Sequence, residues 1–181
     1  GRYALFSVRA TDYAANKGVT SLYVVDLNKP PQPVLVVEKG SSPRWAPDGK
    51  SIYYTAPKEG TAQVWHRSFD VDNSGKGLAL TVRTGEAVTN APLDVNTFKL
   101  SPDGAKLLLS YDVFTDCPDL ACTKERLDGR EKDKSTGTVY NKLFVRHWDT
   151  WADGRRSQLY IADANAASQP VLLSRDIDGD V

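Results

Sequence analysis

The residues best suited to chemistry in this chain form one short cluster, R-H-W-D-T-W, at positions 146–151. The cluster holds one of the two histidines and two of the four tryptophans of the sequence. Tryptophans bury a large area against a ligand, while neighbouring charged and polar groups fix its orientation. The candidate substrate-binding residues are therefore Arg146, His147, Trp148, Asp149 and Trp151.

Two interpretations of this cluster stay open. In a strand, alternate residues share a face, which divides the cluster into two sets. The sets are Arg146, Trp148 and Thr150 on one side, and His147, Asp149 and Trp151 on the other. His147 with Asp149 resembles part of a catalytic dyad, although the sequence places no nucleophile beside them. The favoured interpretation is that the cluster is first a packing element, in which both tryptophans are core residues and His147 and Asp149 satisfy buried polar groups.

No complete catalytic, metal or cofactor site is predicted. The sequence has no G-x-S-x-G nucleophile elbow, no phosphate-binding glycine loop and no H-E-x-x-H motif. Residues 70–75, D-V-D-N-S-G, resemble the first half of a calcium loop, but Thr81 stands where a bidentate Glu is expected. A glycine-rich turn is the favoured interpretation, and residues 176–180, D-I-D-G-D, are interpreted as an acidic turn.

The two cysteines, Cys117 and Cys122, lie in C-P-D-L-A-C within a polar stretch. They can form a local disulfide, which would indicate an oxidising compartment, or remain two free thiols. A structural metal site needs about four ligands, more than this motif offers.

A repeated turn predicts the scaffold that carries these residues. W-A-P-D-G-K-S-I-Y-Y-T at 45–55 and L-S-P-D-G-A-K-L-L-L-S at 100–110 share Pro-Asp-Gly between apolar runs, a hairpin signal. Gly1 precedes R-Y-A-L-F-S, which has the same shape as the residues after Gly49. We therefore expect the chain to begin in the middle of a repeat. A period of about 50 residues with several short strands per copy is typical of a β-propeller.

The predicted fold is all-β: a partial β-propeller of about three four-stranded blades with WD40-like Ser-Pro-Asp-Gly turns. The blades are assigned to residues 1–40, 41–91 and 92–176. The predicted strands are 3–8, 22–27 and 34–37 in the first blade, 42–46, 51–56, 62–67 and 78–82 in the second, and 97–100, 106–111, 158–162 and 171–173 in the third. No helix of ten or more residues is predicted.

A charged insertion at 112–141 interrupts the third blade. Its mixed charge indicates a solvent-exposed loop with at most a short helical turn near 124–127. Loops of this length are often functional, but a tolerated surface insertion is the equal alternative.

The composition argues against two classes of partner, nucleic acid and the membrane interior. The chain has 181 residues, 40% apolar and 25% charged, with formal net charge zero, as in ordinary globular proteins. The absence of a basic block argues against nucleic acid as a partner. No apolar run approaches the roughly 18 residues that a membrane span needs.

The repeated turns, the segment V-R-H-W-D-T-W-A-D-G-R-R-S-Q-L-Y-I-A-D at 145–163 and the final D-I-D-G-D-V resemble a known family. The similarity is to the N-terminal propeller of bacterial prolyl oligopeptidase-family serine peptidases, of the dipeptidyl-peptidase or acylaminoacyl-peptidase type. The resemblance implies further blades and an α/β-hydrolase domain with a Ser-Asp-His triad as partners, and a peptide substrate. It implies no catalytic role for any residue of this chain.

Two functions follow from this sequence. The first is the substrate-gating propeller portion of a periplasmic or secreted serine peptidase, an exopeptidase or oligopeptidase, with hydrolysis carried by a domain outside this chain. The second is a free-standing propeller that binds other proteins without catalysis. In either case we expect this chain alone not to hydrolyse peptides.

Overall fold

A computed structural model gives the fold and describes residues 1–72, 75, 77–135, 137–140, 143, 145–164 and 168–181. The elements are β1 (Tyr3–Asp12), β2 (Lys17–Asp26), β3 (Val34–Val37), β4 (Ser41–Trp45), β5 (Ser51–Lys58), β6 (Thr61–Ser68), β7 (Glu86–Ala87), β8 (Thr97–Leu100), β9 (Lys106–Val113), α1 (Leu120–Lys132), β10 (Arg146–His147), β11 (Thr150–Trp151), β12 (Arg156–Asp163) and β13 (Val171–Leu172). No helix among the described residues is long and apolar enough to cross a membrane.

The strands form three antiparallel sheets that follow one another along the chain. The first sheet is β1-β2-β3, the second is β4-β5-β6-β7, the third is β8-β9-β12-β13, and β10-β11 is a separate hairpin. The prediction of a β structure is confirmed. The three strands predicted for the first copy and the four predicted for the third are present, several of them longer than predicted.

The two Pro-Asp-Gly turns have the local geometry that their residues favour. Gly49 and Gly104 have φ angles of +62° and +74°, in the left-handed region that glycine tolerates. The Asp48 carboxylate accepts a hydrogen bond from Lys50 N at 2.8 Å, and Asp103 accepts one from Ala105 N at 3.0 Å. An aspartate followed by a glycine therefore fixes the chain reversal both at the start of β5 and at the start of β9.

The predicted fourth strand of the second copy, residues 78–82, is wrong. The strand that pairs with β6 is β7, and Leu78 forms only an isolated bridge with Val71. The segment instead crosses to the first sheet, where Leu78 N donates to Tyr3 Oη at 2.7 Å and Leu80 packs against the apolar cluster. Its apolar residues therefore reflect packing between sheets.

The absence of a long helix is also wrong, because α1 has 13 residues within the insertion. Only Leu120 and Thr123 are buried, so the helix has almost no apolar period to detect. Asp119 caps it by accepting from Cys122 N at 2.8 Å, and Lys124 forms an ion pair with Asp128 one turn later. Capping and ion pairs, which the hydrophobic pattern does not report, stabilise this helix.

Apolar side chains fill the two spaces between consecutive sheets. Leu22, Val24 and Val36 of the first sheet pack with Ile52 and Tyr54 of the second. On the other side of β5 the residues of the second sheet pack with the third. These are chiefly Tyr53, Val64, Val88, Leu107, Leu109 and Tyr111. The second sheet is thus buried on both faces, as the consecutive apolar residues Ile52, Tyr53 and Tyr54 of β5 require.

A buried glutamine holds the connection between the second and third sheets. Gln63 in β6 is fully buried, and its amide nitrogen donates to Ala91 O and Leu93 O, each at 3.1 Å. Its amide oxygen accepts from Thr89 Oγ1 at 2.7 Å and Ala91 N at 3.0 Å. One side chain therefore satisfies four polar groups of the segment that leads into β8.

The same arrangement recurs at Gln158 in β12, which is 2% exposed. Its amide nitrogen donates to Ile177 O at 3.3 Å and to Gly179 O at 2.6 Å, and its oxygen accepts from Ser174 Oγ at 2.5 Å. The residue after each glutamine bonds to the hydroxyl that the glutamine itself binds. Val64 N donates to Thr89 Oγ1, and Leu159 N donates to Ser174 Oγ.

The residue before each glutamine also bonds to the segment that follows the sheet. We call the bonds of the glutamine, and of the residues before and after it, to that segment the glutamine latch. Ala62 N donates to the Asp94 carboxylate at 2.6 Å, and Ser157 N donates to that of Asp180 at 2.8 Å. The return bonds run from Val95 N to Ala62 O and from Val181 N to Ser157 O, at 2.8 and 3.1 Å. Segments 89–95 and 174–181 therefore occupy equivalent positions on their sheets.

The first sheet keeps only the backbone part of this latch. Gly40 N donates to Thr20 O at 3.0 Å. The residue after Thr20 is Ser21, whereas the second and third sheets have glutamine at the equivalent position. Arg67 makes a different connection between the first and second sheets. It is 4% exposed and donates to Val36 O at 2.5 Å and to Thr81 O. Burial lowers the pKa of its guanidinium.

We predict that Gln63→Leu lowers the free energy of unfolding by about 3 kcal/mol, because it leaves several buried polar groups of residues 89–93 without partners. Urea denaturation followed by tryptophan fluorescence measures this change. Gln169→Leu, a glutamine exposed to solvent, is the matched control and should change the free energy by less than about 0.5 kcal/mol. Equal effects of the two substitutions would contradict the latch.

Candidate functional site

The cluster at 146–151 is a tight hairpin. Arg146 is paired with Trp151 and His147 with Thr150, which leaves Trp148 and Asp149 as a two-residue turn. Trp148 has a φ angle of +51°, uncommon for a residue with a bulky side chain. The strand alternation predicted for this cluster is therefore wrong, because the chain reverses in its middle.

Arg146, Trp151 and Tyr140 form a stack on this hairpin. The Arg146 guanidinium carbon lies 5.2 Å from the centre of the Trp151 ring, and the Tyr140 ring lies 6.0 Å from it at an interplanar angle of 27°. Arg146 and Trp151 meet because they are directly opposite in the hairpin. A cation over an aromatic face is attracted by the ring quadrupole, which holds both side chains in place.

Both tryptophans are exposed: Trp148 by 84% and Trp151 by 57%. The prediction that they are core residues of their sheet is therefore wrong. Their size and hydrophobicity favoured burial, but they lie on a hairpin that is not a strand of the third sheet. The predicted pairing of His147 with Asp149 depends on a histidine side chain outside the described part of the structure and stays a prediction.

Helix α1 supports the chain that follows the hairpin. Arg130 in its last turn donates to Asp153 O at 2.7 Å, and both Arg126 and Arg130 lie against the ring of Phe114, at 4.5 and 4.6 Å from its centre. Arg126 also forms a bidentate ion pair with Asp116, at 2.8 and 2.9 Å. This hydrogen-bonded pair lowers the pKa of the Asp116 carboxyl.

A disulfide between Cys117 and Cys122 joins the loop after β9 to the first turn of α1. Asp119, the N-terminal cap of the helix, lies inside the ring that the disulfide closes. The bond and the cap therefore constrain the same turn, which sets where the insertion leaves the third sheet.

A cleft of about 330 Å³ lies between α1 and the start of β6. Acidic groups outnumber basic groups along it, which favours a cationic ligand group over an anionic one. Its charged lining residues are Asp94, Asp112, Lys124, Asp128, Glu131 and Arg155. Among the described residues, no group of three or more His, Cys, Asp or Glu side chains is placed to hold a metal ion.

The calcium-like motif at 70–75 forms a turn, apart from Asn73 and Ser74, which lie outside the described residues. Asp72 Oδ1 accepts from Gly77 N at 3.1 Å, and Gly75 N donates to Asp72 O at 2.9 Å. Asp70 is paired with Arg83 at 2.9 Å. These contacts agree with the favoured interpretation, a glycine-rich turn.

Sequence reasoning missed Tyr140, Arg130 and the cleft. Nothing in the sequence near Tyr140 indicates that it stacks on Trp151, because the contact depends on how the insertion returns to the sheet. A signal did exist for α1, since Asp119 stands three residues before Cys122 and begins a run of helix-favouring residues.

Comparison with known proteins gives one curated relative of clear similarity. The chain is 27% identical over 179 residues to dipeptidyl-peptidase 5 of Porphyromonas endodontalis, a match that covers 98% of this chain and 23% of that protein. The resemblance to prolyl oligopeptidase-type peptidases is confirmed. No protein-family model matches the chain.

Solved structures show the same fold in peptidases. The acylaminoacyl peptidase of Pyrococcus horikoshii superposes with a TM-score of 0.65 at 15% identity, over 97% of this chain and 24% of that one. The AtxE2 isopeptidase with astexin3-dC4 bound gives a TM-score of 0.57 at 17% identity, over 96% and 28%. The chain thus spans about a quarter of the length of each of these proteins.

We predict that Trp148→Ala changes the free energy of unfolding by less than about 0.5 kcal/mol, because an exposed side chain loses little packing when truncated. Chemical denaturation measures this change. Tyr111→Ala, a fully buried aromatic of β9, is the contrasting control and should cost about 3–5 kcal/mol. A large loss in Trp148→Ala would restore the packing interpretation.

We predict that protein matured in an oxidising compartment has no free thiol, because Cys117 and Cys122 are bonded. Mass spectrometry after alkylation without reduction tests this, and two alkylated cysteines would contradict it. Replacing both cysteines with serine should lower the free energy of unfolding by about 2 kcal/mol in the chain-entropy description of a short closed loop.

Proposed function

We propose that this chain is the propeller portion of a serine peptidase of the prolyl oligopeptidase type and that it controls access of peptides to a separate hydrolase domain. The observation that carries this proposal is the similarity to a dipeptidyl-peptidase over 98% of the chain. The chain itself has no nucleophile elbow, so hydrolysis is assigned to the hydrolase domain.

The three sheets are interpreted as three blades of this propeller, at residues 1–40, 41–91 and 92–176. The repeated Pro-Asp-Gly turns, the burial of the second sheet on both faces and the recurrence of the glutamine latch support this interpretation. Propellers close with about 4–8 blades, so further blades and the hydrolase domain are the proposed partners. The Cys117–Cys122 bond supports a periplasmic or secreted location.

The hairpin at 146–151 is the proposed contact with substrate. Trp148 and Trp151 offer exposed aromatic area, and Arg146 offers a cation already oriented by the Trp151 ring. Rigid aromatic side chains contribute binding area at little cost in conformational entropy. Peptides suit this surface because they combine apolar side chains with carbonyl and carboxylate oxygens that a guanidinium binds.

Substitution in the longer peptidase tests this proposal. We expect Trp148→Ala to raise KM for peptides of several residues about tenfold, the effect of losing about 1.4 kcal/mol of binding. Hydrolysis of a small chromogenic substrate should be unchanged, because the proposal assigns the hairpin to the parts of a longer peptide that such a substrate lacks. Steady-state kinetics on both substrates measures the difference.

Val82→Ala is the matched control, because Val82 is an exposed apolar residue of the second sheet's connecting segment. It should leave KM unchanged for both substrates. An unchanged KM for peptides in Trp148→Ala would remove the hairpin from the substrate path. A second result separates the two functions. If the longer protein also lacked peptidase activity, the exposed tryptophans would be better explained by a free-standing interaction module.

A further inference from the structure

The base of the hairpin at 146–151 is tied to helix α1. The pairing of the hairpin continues one residue beyond its strands, because Ala152 N donates to Val145 O at 2.9 Å. Asp153 comes next, and its carbonyl oxygen accepts a hydrogen bond of 2.7 Å from the guanidinium of Arg130, in the last turn of α1. This bond joins the helix of the insertion to the chain directly after the hairpin.

The ring of Phe114 forms the other part of this joint. Phe114 follows β9 and is 3% exposed, and the Arg130 guanidinium lies against its ring. Gly154 reaches the same ring from the hairpin side, since a β-carbon placed on Gly154 would lie 3.7 Å from Phe114 Cε1. Gly154 has a φ angle of +90°, which other residues adopt only with strain. The chain therefore approaches Phe114 through a turn that glycine permits.

The two arginines at this ring have different partners. Hydrogen bonding to Asp116 raises the pKa of the Arg126 guanidinium, and the same ion pair compensates its charge beside the second cation. Arg130 instead donates to a backbone carbonyl, and its charge is favoured by the negative end of the helix dipole. Arg126 therefore secures the helix to the loop after β9, while Arg130 extends from the helix to the hairpin.

Helix α1 is fixed at its first turn and reaches the hairpin at its last. Its buried residues, Leu120 and Thr123, both lie near its start, and Thr123 Oγ1 accepts from Phe114 N at 3.3 Å. The disulfide and the N-terminal cap constrain the same turn. Arg130 is ten residues after Leu120, a distance of about 15 Å along a helix axis. The helix can therefore transmit the position of the third sheet to the base of the hairpin.

A fixed base matters because the tip of the hairpin is exposed. Trp148 and Trp151 are 84% and 57% exposed, so burial against the third sheet contributes little to their orientation. Ordering a loop when a ligand binds costs free energy, and a loop that is already ordered avoids this cost. Contacts at the base of the hairpin are therefore the ones that can orient it before a ligand arrives.

We infer that Arg130 is a positioning residue of the hairpin. Its bond to Asp153 O and its contact with Phe114 fix the direction in which Trp148 and Trp151 are presented. The inference rests on the proposed function where it takes the ligand of the tryptophans to be a peptide. Arg130 itself contacts no substrate and acts through the chain at 152–154.

The mobility of a spin label on the hairpin tests the inference without any substrate. Asp149→Cys places one free thiol in the turn, because Cys117 and Cys122 are bonded to each other. The 181-residue chain is labelled there with a maleimide nitroxide under non-reducing conditions. Adding Arg130→Met, which removes the donor and the charge, should shorten the rotational correlation time of the label by about twofold, within the nanosecond range of loop motion.

Three further variants control this measurement. Arg130→Lys keeps a cation that can donate to Asp153 O, and it should recover most of the restriction. Lys132→Met removes an exposed cation from the same turn of α1 and should leave the label unchanged. Gly154→Ala perturbs the joint from the hairpin side, because alanine disfavours a φ angle of +90°, and it should release the label as Arg130→Met does.

Kinetics in the longer peptidase measures the consequence for peptides. Arg130→Met should raise KM for peptides of several residues about threefold with kcat unchanged, the pattern of a lost contribution to binding alone. Arg130→Lys should return KM to within about a factor of 1.5 of the parent value. Lys132→Met should have the parent KM.

The outcome is separable from that of the proposed function. Unchanged label mobility in Arg130→Met would overturn the inference whatever the value of KM, and equal release in Lys132→Met would overturn it as well. Greater mobility with an unchanged KM would leave Arg130 as the positioning residue and remove peptides from the hairpin. Unchanged mobility with a raised KM in Trp148→Ala would keep the proposed function and remove the role of Arg130.

Discussion

Burial of an apolar sheet face against the next sheet is the constraint on which the rest of this structure depends. The second sheet shows this most clearly, because it is buried on both sides by residues such as Tyr53 and Tyr54, which point in opposite directions from adjacent positions. Stacking brings polar backbone between the sheets, where it must find partners. Gln63 provides them between the second and third sheets, so this latch follows from the stacking.

This constraint also explains where variation is tolerated. The β9–β12 connection is long, and it leaves the third sheet at the end opposite the Pro-Asp-Gly turn, where it does not interrupt the packing between sheets. The insertion can therefore carry a polar helix, a disulfide and an exposed hairpin without weakening the stack. Arg130 donates to Asp153 O, which ties the helix to the return of the chain.

Local chemistry was predictable from the sequence, while contacts between distant segments were not. The turns at Gly49 and Gly104 follow from three adjacent residues, and the paired strands follow from apolar runs beside them. Helix α1 escaped because its stability comes from Asp119 and ion pairs, and hydrophobic periodicity does not detect these. Trp148 was expected in the core because size favours burial, but a two-residue turn puts it in solvent. The stack of Tyr140 on Trp151 depends on a return path that no local pattern encodes.

The presence of serine at position 21, where the other two sheets have glutamine, has a consequence for cooperativity. In a linear array of stacked units, stability is a sum of terms for each unit and each junction between neighbours. The junction after the second sheet has a side-chain latch, whereas the junction after the first has the Gly40–Thr20 backbone bond and Arg67, a buried cation bonded to carbonyl groups. Opening should therefore begin between the first two sheets. Amides of β1 and β2 would then exchange with solvent through a subglobal event, while those of β9 and β12 exchange only on global unfolding.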